Sequence, residues 1–409
     1  MSRRIIINTY GSAGDLNPFF VIARGLQARG HRVVVATDDF SQDSVESAGL
    51  EFQIARRGFL YATDDASDWP FFNLRSSYDD LMAAVRRADL LITHQVAFAG
   101  PLVAASTGIP WVSVVLSPFT FASAHDPLMY GTQPDARPFT PTIYTLYLSQ
   151  LSHMKQSSYA YIKEVQQLGS ELGLAPGKKA FLEDHHSPNL VLALFSSTFA
   201  AQEPDWPPQT CVTGFAFDAH LTDGAGLPPE LARFLDHGPP PIVFTLGSAS
   251  IFDTGSFRIE SVGAAKMLGF RAVLLGSVTS DGTFPNNSNL ISVEYAPHGE
   301  LFSRAAAVVH HGGIGTVAAA MRAGCPMLVT PGFAWDQPDN AVRATGLGVG
   351  RMLAQSEYNA LSAAIELTPL LSEPSYAENA AALSRIIRAE DGVNSACDAI
   401  EQYLKKIKG

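Results

Sequence analysis

HHGGIGT, residues 310–316, lies between a short β-branched run, AAVVHH (306–311), and a stretch with helix character, VAAAMRAG (317–324). A strand that runs into glycines and then a helix is the recurring unit of an open parallel sheet, whose ligands bind at the carboxyl edge of the strands. Glycines let the backbone approach a ligand closely. A helix N-terminus offers unpaired N–H groups and a partial positive charge, which suits an anion. A histidine at the strand end can donate one further hydrogen bond to a phosphate oxygen. A tight turn is the plainer reading of the same residues. A metal pair fits less well, because adjacent strand residues point to opposite faces and His310 and His311 cannot both chelate easily. Only one of the two histidines is expected to face a ligand.

Outward from this stretch the same unit recurs. RRIIINTY (3–10), HRVVVATDD (31–39), LEFQIA (50–55), DLLITH (89–94) and PWVSVVL (110–116) read as strands. FFVIARGLQARG (19–30), YDDLMAAVRRA (78–88) and GPLVAAST (100–107) read as the helices between them. NLVLALFS (189–196) and TCVTGF (210–215) close a first unit. Alternation restarts at PPIVFTLGSAS (240–250) and continues through RAVLLG (271–276), NLISVEYAP (289–297), AAVVHH and PMLVTP (326–331). Strands separated by helices imply doubly wound parallel sheets. The expected fold is α/β, two Rossmann-like domains facing a cleft. The expected boundaries are 1–215, a linker over 216–239, a second domain over 240–388, and a C-terminal helix over 389–409 that packs back on the first domain. Residues 118–165, rich in Phe, Tyr, Pro and Met, break the rhythm and could line a pocket for an apolar ligand.

With 409 residues, 46% of them apolar, the chain can bury two cores. Its 16% charged residues and net charge of −11 argue against a nucleic-acid surface. Three scattered cysteines, with no CxxC, argue against a zinc site and suit a reducing cytoplasm. No apolar run approaches the roughly 18 residues of a membrane span, and MSRRIIINTYG lacks the pattern of a signal peptide.

One strand beyond the glycines stands Asp336-Gln337. An acid and an amide can hold sugar hydroxyls through paired hydrogen bonds, although a capped helix start before Pro338 reads equally well in isolation. Beside a phosphate loop, the pair points to a nucleotide sugar. GSAGDLNP (11–18), VEYAPHGELF (293–302), HHGGIGT and DQPDN (336–340) together resemble family-one glycosyltransferases of GT-B fold, and SYDDLMAAVRRADLLITH (77–94) adds to the likeness with bacterial rhamnosyltransferases and flavonoid glycosyltransferases. The resemblance implies that His310 contacts the donor diphosphate while His311 falls at a variable position. It implies that Gly313, Gly315 and Thr316 hold phosphates and that Asp336 and Gln337 bind the sugar. Tyr295 would stack on the base, His298 would lie near the ribose, and Ser248 near the phosphates. Ala318 departs from the plant pattern, which carries a ribose-binding glutamate there; its absence favours a dTDP-sugar over UDP.

In YGSAGDLNP the glycines, Gly14 among them, permit close approach, and Pro18 suits a first helical turn. Asp15 is the expected general base that takes the acceptor hydroxyl proton; a helix N-cap is the structural alternative. His94, at the end of DLLITH, is a candidate partner, in a pair that exchanges the histidine and aspartate of plant relatives. EDHHSP (183–188) reads as a solvated loop. The expectation is an inverting glycosyltransferase without metal or cofactor beyond its nucleotide-sugar co-substrate. It would move rhamnose from dTDP-rhamnose, or else glucose from UDP-glucose, to a hydrophobic hydroxylated acceptor such as a flavonoid. Hydroxy-fatty-acyl or sterol acceptors, a nucleotide-sugar epimerase and a non-catalytic nucleotide-sugar binder are the alternatives.

Overall fold

In the computed structural model the described residues are 2–56, 74–121, 123–126, 159–174, 185–217, 226–247, 256–276, 284, 286–332 and 336–407. The first half runs β1 (Arg4–Asn8), α1 (Ala13–Ala28), β2 (Arg32–Asp38), α2 (Gln42–Ser47), β3 (Glu51–Arg56), α3 (Leu74–Ala84), β4 (Leu90–His94), α4 (Ala99–Thr107), β5 (Trp111–Val115), α5 (Tyr159–Glu171), β6 (Val191–Ala193) and β7 (Thr210–Val212). The second half runs α6 (Pro229–Asp236), β8 (Ile242–Thr245), α7 (Ser256–Leu268), β9 (Ala272–Leu275), β10 (Leu290–Val293), α8 (His298–Phe302), β11 (Ala307–His310), α9 (Ile314–Ala323), β12 (Met327–Val329), α10 (Gln337–Gly346), β13 (Gly350–Met352), α11 (Ala360–Ser372), α12 (Pro374–Ala389) and α13 (Gly392–Lys406).

Two parallel sheets result. The first has the order β3-β2-β1-β4-β5-β6-β7, the second β10-β9-β8-β11-β12-β13. The inner strands are apolar on both faces, as sheets covered by helices on both sides require; Ile5, Ile6 and Ile7 of β1 are all fully buried. Chain order reverses between β1 and β4 in the first sheet and between β8 and β11 in the second. At such a reversal the helices leave to opposite faces and open a crevice beyond the strand ends. The residues after β1, β4, β8 and β11 therefore occupy the two crevices.

The opening of α1 corrects the expectation placed on Pro18. The helix begins at Ala13, with Ser12 as N-cap, and Pro18 lies inside it. Asp15 Oδ2 accepts from Ser12 N at 2.8 Å and from Ser12 Oγ at 2.9 Å. That capping closes the first turn ahead of the proline. Proline then supplies no N–H to the Gly14 carbonyl, one turn back.

The last helix, α13, packs on α1 in the first domain. Ala396, Cys397, Ile400, Tyr403 and Leu404 join the core of Ile5, Ile7, Phe19 and Ile22. A side chain at Gly25 would strike Cys397 Sγ at 2.9 Å and Val393 Cγ1 at 3.1 Å, so the two helices meet at this glycine. Arg29 binds Asp398 at 2.5 Å and Glu401 at 2.9 Å, and His31 lies 3.3 Å from Glu401. The chain returns to the first domain beside the point where it left. A β-carbon on Gly392 would lie 2.4 Å from the Phe215 carbonyl oxygen. Strand β13 carries only three residues and too weak a pattern to be read beforehand.

Candidate active site

The crevice of the first sheet is built by α1 and β4. Asp15 and Phe19 are four residues apart on α1 and so share a face. That face lies over His94, the last residue of β4. The Phe19 and His94 rings meet edge to face at 5.2 Å, and His94 Nε2 lies 3.9 Å from Asp15 Oδ1. Asp15 is more than a third exposed while the His94 side chain is wholly buried. Burial lowers the His94 pKa against the opposing pull of Asp15 and the Tyr10 backbone, so the imidazole is neutral at pH 7. Neither of its nitrogens makes a hydrogen bond of normal geometry among the described residues.

The crevice of the second sheet is built by the loops after β8 and β11. His310 is fully buried, and its Nδ1 accepts from the Gly312 N–H at 3.0 Å. Burial, with His311 and His298 nearby, holds its pKa well below the usual range. A neutral ring whose Nδ1 accepts must carry its proton on Nε2. That Nε2 is buried and has no hydrogen-bond partner among the described residues, so it is a donor awaiting an acceptor. His311 points elsewhere. Its ring lies against Gly247 and Gly313, where an added β-carbon would come within 2.8 and 2.6 Å of it, and burial lowers its pKa to about 4. Gly312, at φ +95°, could take no side chain without striking Val329 and the Gln337 carbonyl.

Beyond the glycines, Gly313 caps α9, Gly315 is its second residue and Thr316, buried, its third. The two crevices face each other here. A β-carbon on Gly315 would lie 4.0 Å from the Cα of Gly14, the second residue of α1. The N-termini of α1 and α9, one from each domain, therefore meet across the cleft, and Asp15 also acts electrostatically on Asp336.

Tyr295, His298, Asp336 and Gln337 follow β10 and β12. Tyr295, after β10, is exposed at 63% and so open to a stacking partner. His298 opens α8, its ring stacked on Phe302 at 4.7 Å, with its pKa lowered by burial to about 4. Asp336 is the N-cap of α10. Desolvation first, then Asp15, raises its pKa to about 7. Gln337 Oε1 accepts from Gly332 N at 2.9 Å, which leaves the amide NH2 to act on a ligand. Ala318 is buried in an apolar core to which both domains contribute. Ser248 lies outside the described residues, as do Trp69–Phe72 and most of the aromatic segment, residues 127–158. Among the described residues no group of three His, Cys, Asp or Glu side chains could hold a metal ion, and no helix is long and apolar enough to cross a membrane.

Two features escaped the sequence reading. His185 and His186 are buried, not solvated as the EDHHSP loop was expected to be. His185 is held by the Gln95 carbonyl and lies 5.0 Å from the Phe98 ring; His186 lies 5.2 Å from Phe121. Burial takes their pKa values to about 3 and about 4. Aromatic contacts from distant segments cover this loop, and no local pattern announces that. The second feature is a polar seam along α10. Ser117, just after β5, donates to Asn340 Oδ1 at 3.2 Å. Arg343 binds Asp126 at 2.6 Å and Asp339 at 2.7 Å.

Comparison with known proteins gives the class of the chain. Residues 5–107 match the glycosyltransferase family 28 N-terminal domain. Residues 276–393 match the erythromycin biosynthesis protein CIII-like C-terminal domain. The chain is 32% identical to the O-mycaminosyltylonolide 6-deoxyallosyltransferase of Streptomyces fradiae, over 98% of both chains. It is 28% identical to a sterol 3-beta-glucosyltransferase of Aspergillus terreus, of which it spans only 30%. The solved glycotransferase of kitacinnamycin superposes with a TM-score of 0.76 at 21% identity, covering 98% of this chain and 99% of that one. The calicheamicin glycosyltransferase CalG4 superposes with a TM-score of 0.72 at 20% identity, over 100% of both. The chain belongs to the family-one glycosyltransferases and is a nucleotide-sugar-dependent enzyme of GT-B fold.

Proposed function

We propose that the enzyme transfers a 6-deoxyhexose, rhamnose being the first candidate, from its dTDP-sugar to a hydroxyl of a large apolar acceptor, with inversion at the anomeric carbon. The observation that carries this reading is the approach of Gly14 to Gly315. It sets a carboxylate on one helix N-terminus opposite an anion site on another. Asp15 accepts the acceptor hydroxyl proton, the oxygen attacks the anomeric carbon, and the bond to the diphosphate breaks. The departing charge falls on the N-terminus of α9 and on the His310 Nε2–H, fixed donors aimed at charge that develops in the transition state. His94 backs Asp15. At 3.9 Å its Nε2 is beyond hydrogen-bond reach, and a sub-ångström contraction on substrate binding would close that gap.

Donor choice rests on Ala318, which offers no carboxylate to a ribose 2′-hydroxyl. The bacterial relative, named for a 6-deoxyhexose, favours the same class. Acceptor choice rests on the aromatic character of residues 118–165 and on the O-mycaminosyltylonolide and sterol acceptors in the relatives' names. A flavonoid is a smaller acceptor of the same apolar kind.

The test offers dTDP-rhamnose and UDP-glucose in parallel to a macrolide aglycone, a sterol and a flavonol, with Asp15→Asn as control and excess EDTA as a second arm. Product from dTDP-rhamnose that disappears in the variant and survives EDTA supports donor, base and the metal-free mechanism together. Product from UDP-glucose alone would overturn the donor assignment. Lasting loss in EDTA would overturn the role given to α9.

A further inference from the structure

Asn340 has no exposed surface. It uses its amide in three directions. Its Nδ2 donates to the Gly312 carbonyl at 2.9 Å and to Asp336 Oδ2 at 3.0 Å. Its Oδ1 accepts from Ser117 Oγ at 3.2 Å. The first two partners are acceptors, so both amide hydrogens are committed to them and the oxygen must face the serine. Only one orientation of the amide satisfies all three. The partners belong to three different parts of the cleft: the glycine loop after β11, the carboxylate expected to hold the sugar, and the end of β5 in the other domain.

One turn further along α10, on the same face, Arg343 repeats the crossing. It is 4% exposed and reaches Asp126, 7% exposed, on the first domain's side. A buried guanidinium between two carboxylates keeps its orientation, because breaking either pair strands a charge away from water. The seam thus has two rungs, and Asn340 is the rung that touches the donor site.

We propose that Asn340 is a positioning residue for the sugar: it holds the Asp336 carboxylate and the Gly312 carbonyl as one unit and, through Ser117, registers that unit against the domain that carries Asp15. This rests on the nucleotide-sugar reading above. Aspartate has the shape of asparagine but no N–H to give. At position 340 it would set an oxygen against the Gly312 carbonyl and a second carboxylate against Asp336. Alanine at Ser117 removes only the arm between the domains.

The experiment measures calorimetric affinities of wild type, Asn340→Asp and Ser117→Ala for dTDP, dTDP-glucose, UDP and UDP-glucose, with melting temperatures alongside. The readout is the affinity gained from the sugar, the ratio of nucleotide sugar to bare nucleotide. A hydrogen bond to a charged group is worth enough that this ratio should fall about tenfold in Asn340→Asp. In Ser117→Ala, where a neutral bond is lost, it should fall about threefold. A structural role alone would weaken sugar-bearing and bare nucleotides by the same factor, and that result overturns the proposal. If Asn340→Asp does not fold, an unchanged ratio in Ser117→Ala overturns it. If wild type binds none of the four ligands, the nucleotide-sugar reading itself falls and takes this proposal with it.

Discussion

Asp15 turns its two carboxylate oxygens to different neighbours. Oδ2 closes the first turn of α1 on Ser12, and Oδ1 faces His94. Asp15 is not the N-cap, a place that Ser12 holds; as the third residue of α1 it bonds back to Ser12, and that bond fixes the rotamer in which the proposed base faces the cleft. Loss of a positioned base lowers turnover by about 10²–10⁴, and steady-state kinetics of Asp15→Asn should show a loss in that range. His310→Leu removes an aimed donor and should cost about 10²–10³ in kcat; a drop confined to KM would place the histidine outside the transition state. Asp336 carries a pKa raised to about 7. It is protonated below that pH and ionised above it. Sugar hydroxyls donate better to the anion, so nucleotide-sugar affinity should rise as pH rises through 7, and Asp336→Asn should abolish that step.

Elements explain why so much of this was legible. Strand-forming runs with helices between them imply the two sheets, and the switch points of such sheets place the ends of β1, β4, β8 and β11 in crevices. The placement of Asp15, His94 and His310 in those crevices is readable because His94 and His310 end β4 and β11 and Asp15 stands in the first turn after β1. The role of Asn340 had a local signal as well: it stands four residues after Asp336 on a helix, so its amide lies beneath that carboxylate. Its bond to Ser117 had none, because no periodicity reveals which domain surface meets which. The pairing of Asp126 with Arg343, like the burial of His185 and His186, belongs to that same unreadable class. Gly25 is a test at this scale. A valine there meets Cys397 and Val393 and should destabilise the protein by about 1–3 kcal/mol through overpacking. Its melting temperature should fall accordingly, and an unchanged value would mean that α13 does not press on α1 in solution.

The whole molecule carries a pH dependence set by histidines that folding draws away from water. His185, His186, His298 and His311 all have pKa values lowered by burial to about 3 or 4. The unfolded chain, with histidines near 6.5, binds protons that the folded protein refuses. Stability from this source is fully present above pH 6.5 and is lost as pH falls through the window from about 6.5 toward about 4. Thermal scans between pH 7.5 and 4.5 should show the melting temperature falling across that window. A flat profile would mean that these rings are reached by water. The loss is shared by both domains, since two of the histidines belong to each.

The docking of α13 on α1 also orders events in time. During synthesis the first sheet leaves the ribosome with one flank of α1 bare, and the Ile5, Phe19 and Ile22 core lacks its outer wall. That wall, Cys397, Ile400 and Leu404, is translated only after the entire second sheet. The nascent first domain must therefore wait, sticky and unfinished, for its neighbour to be made. Its packing is finished only after the second sheet has been made, although its own strands preceded that sheet.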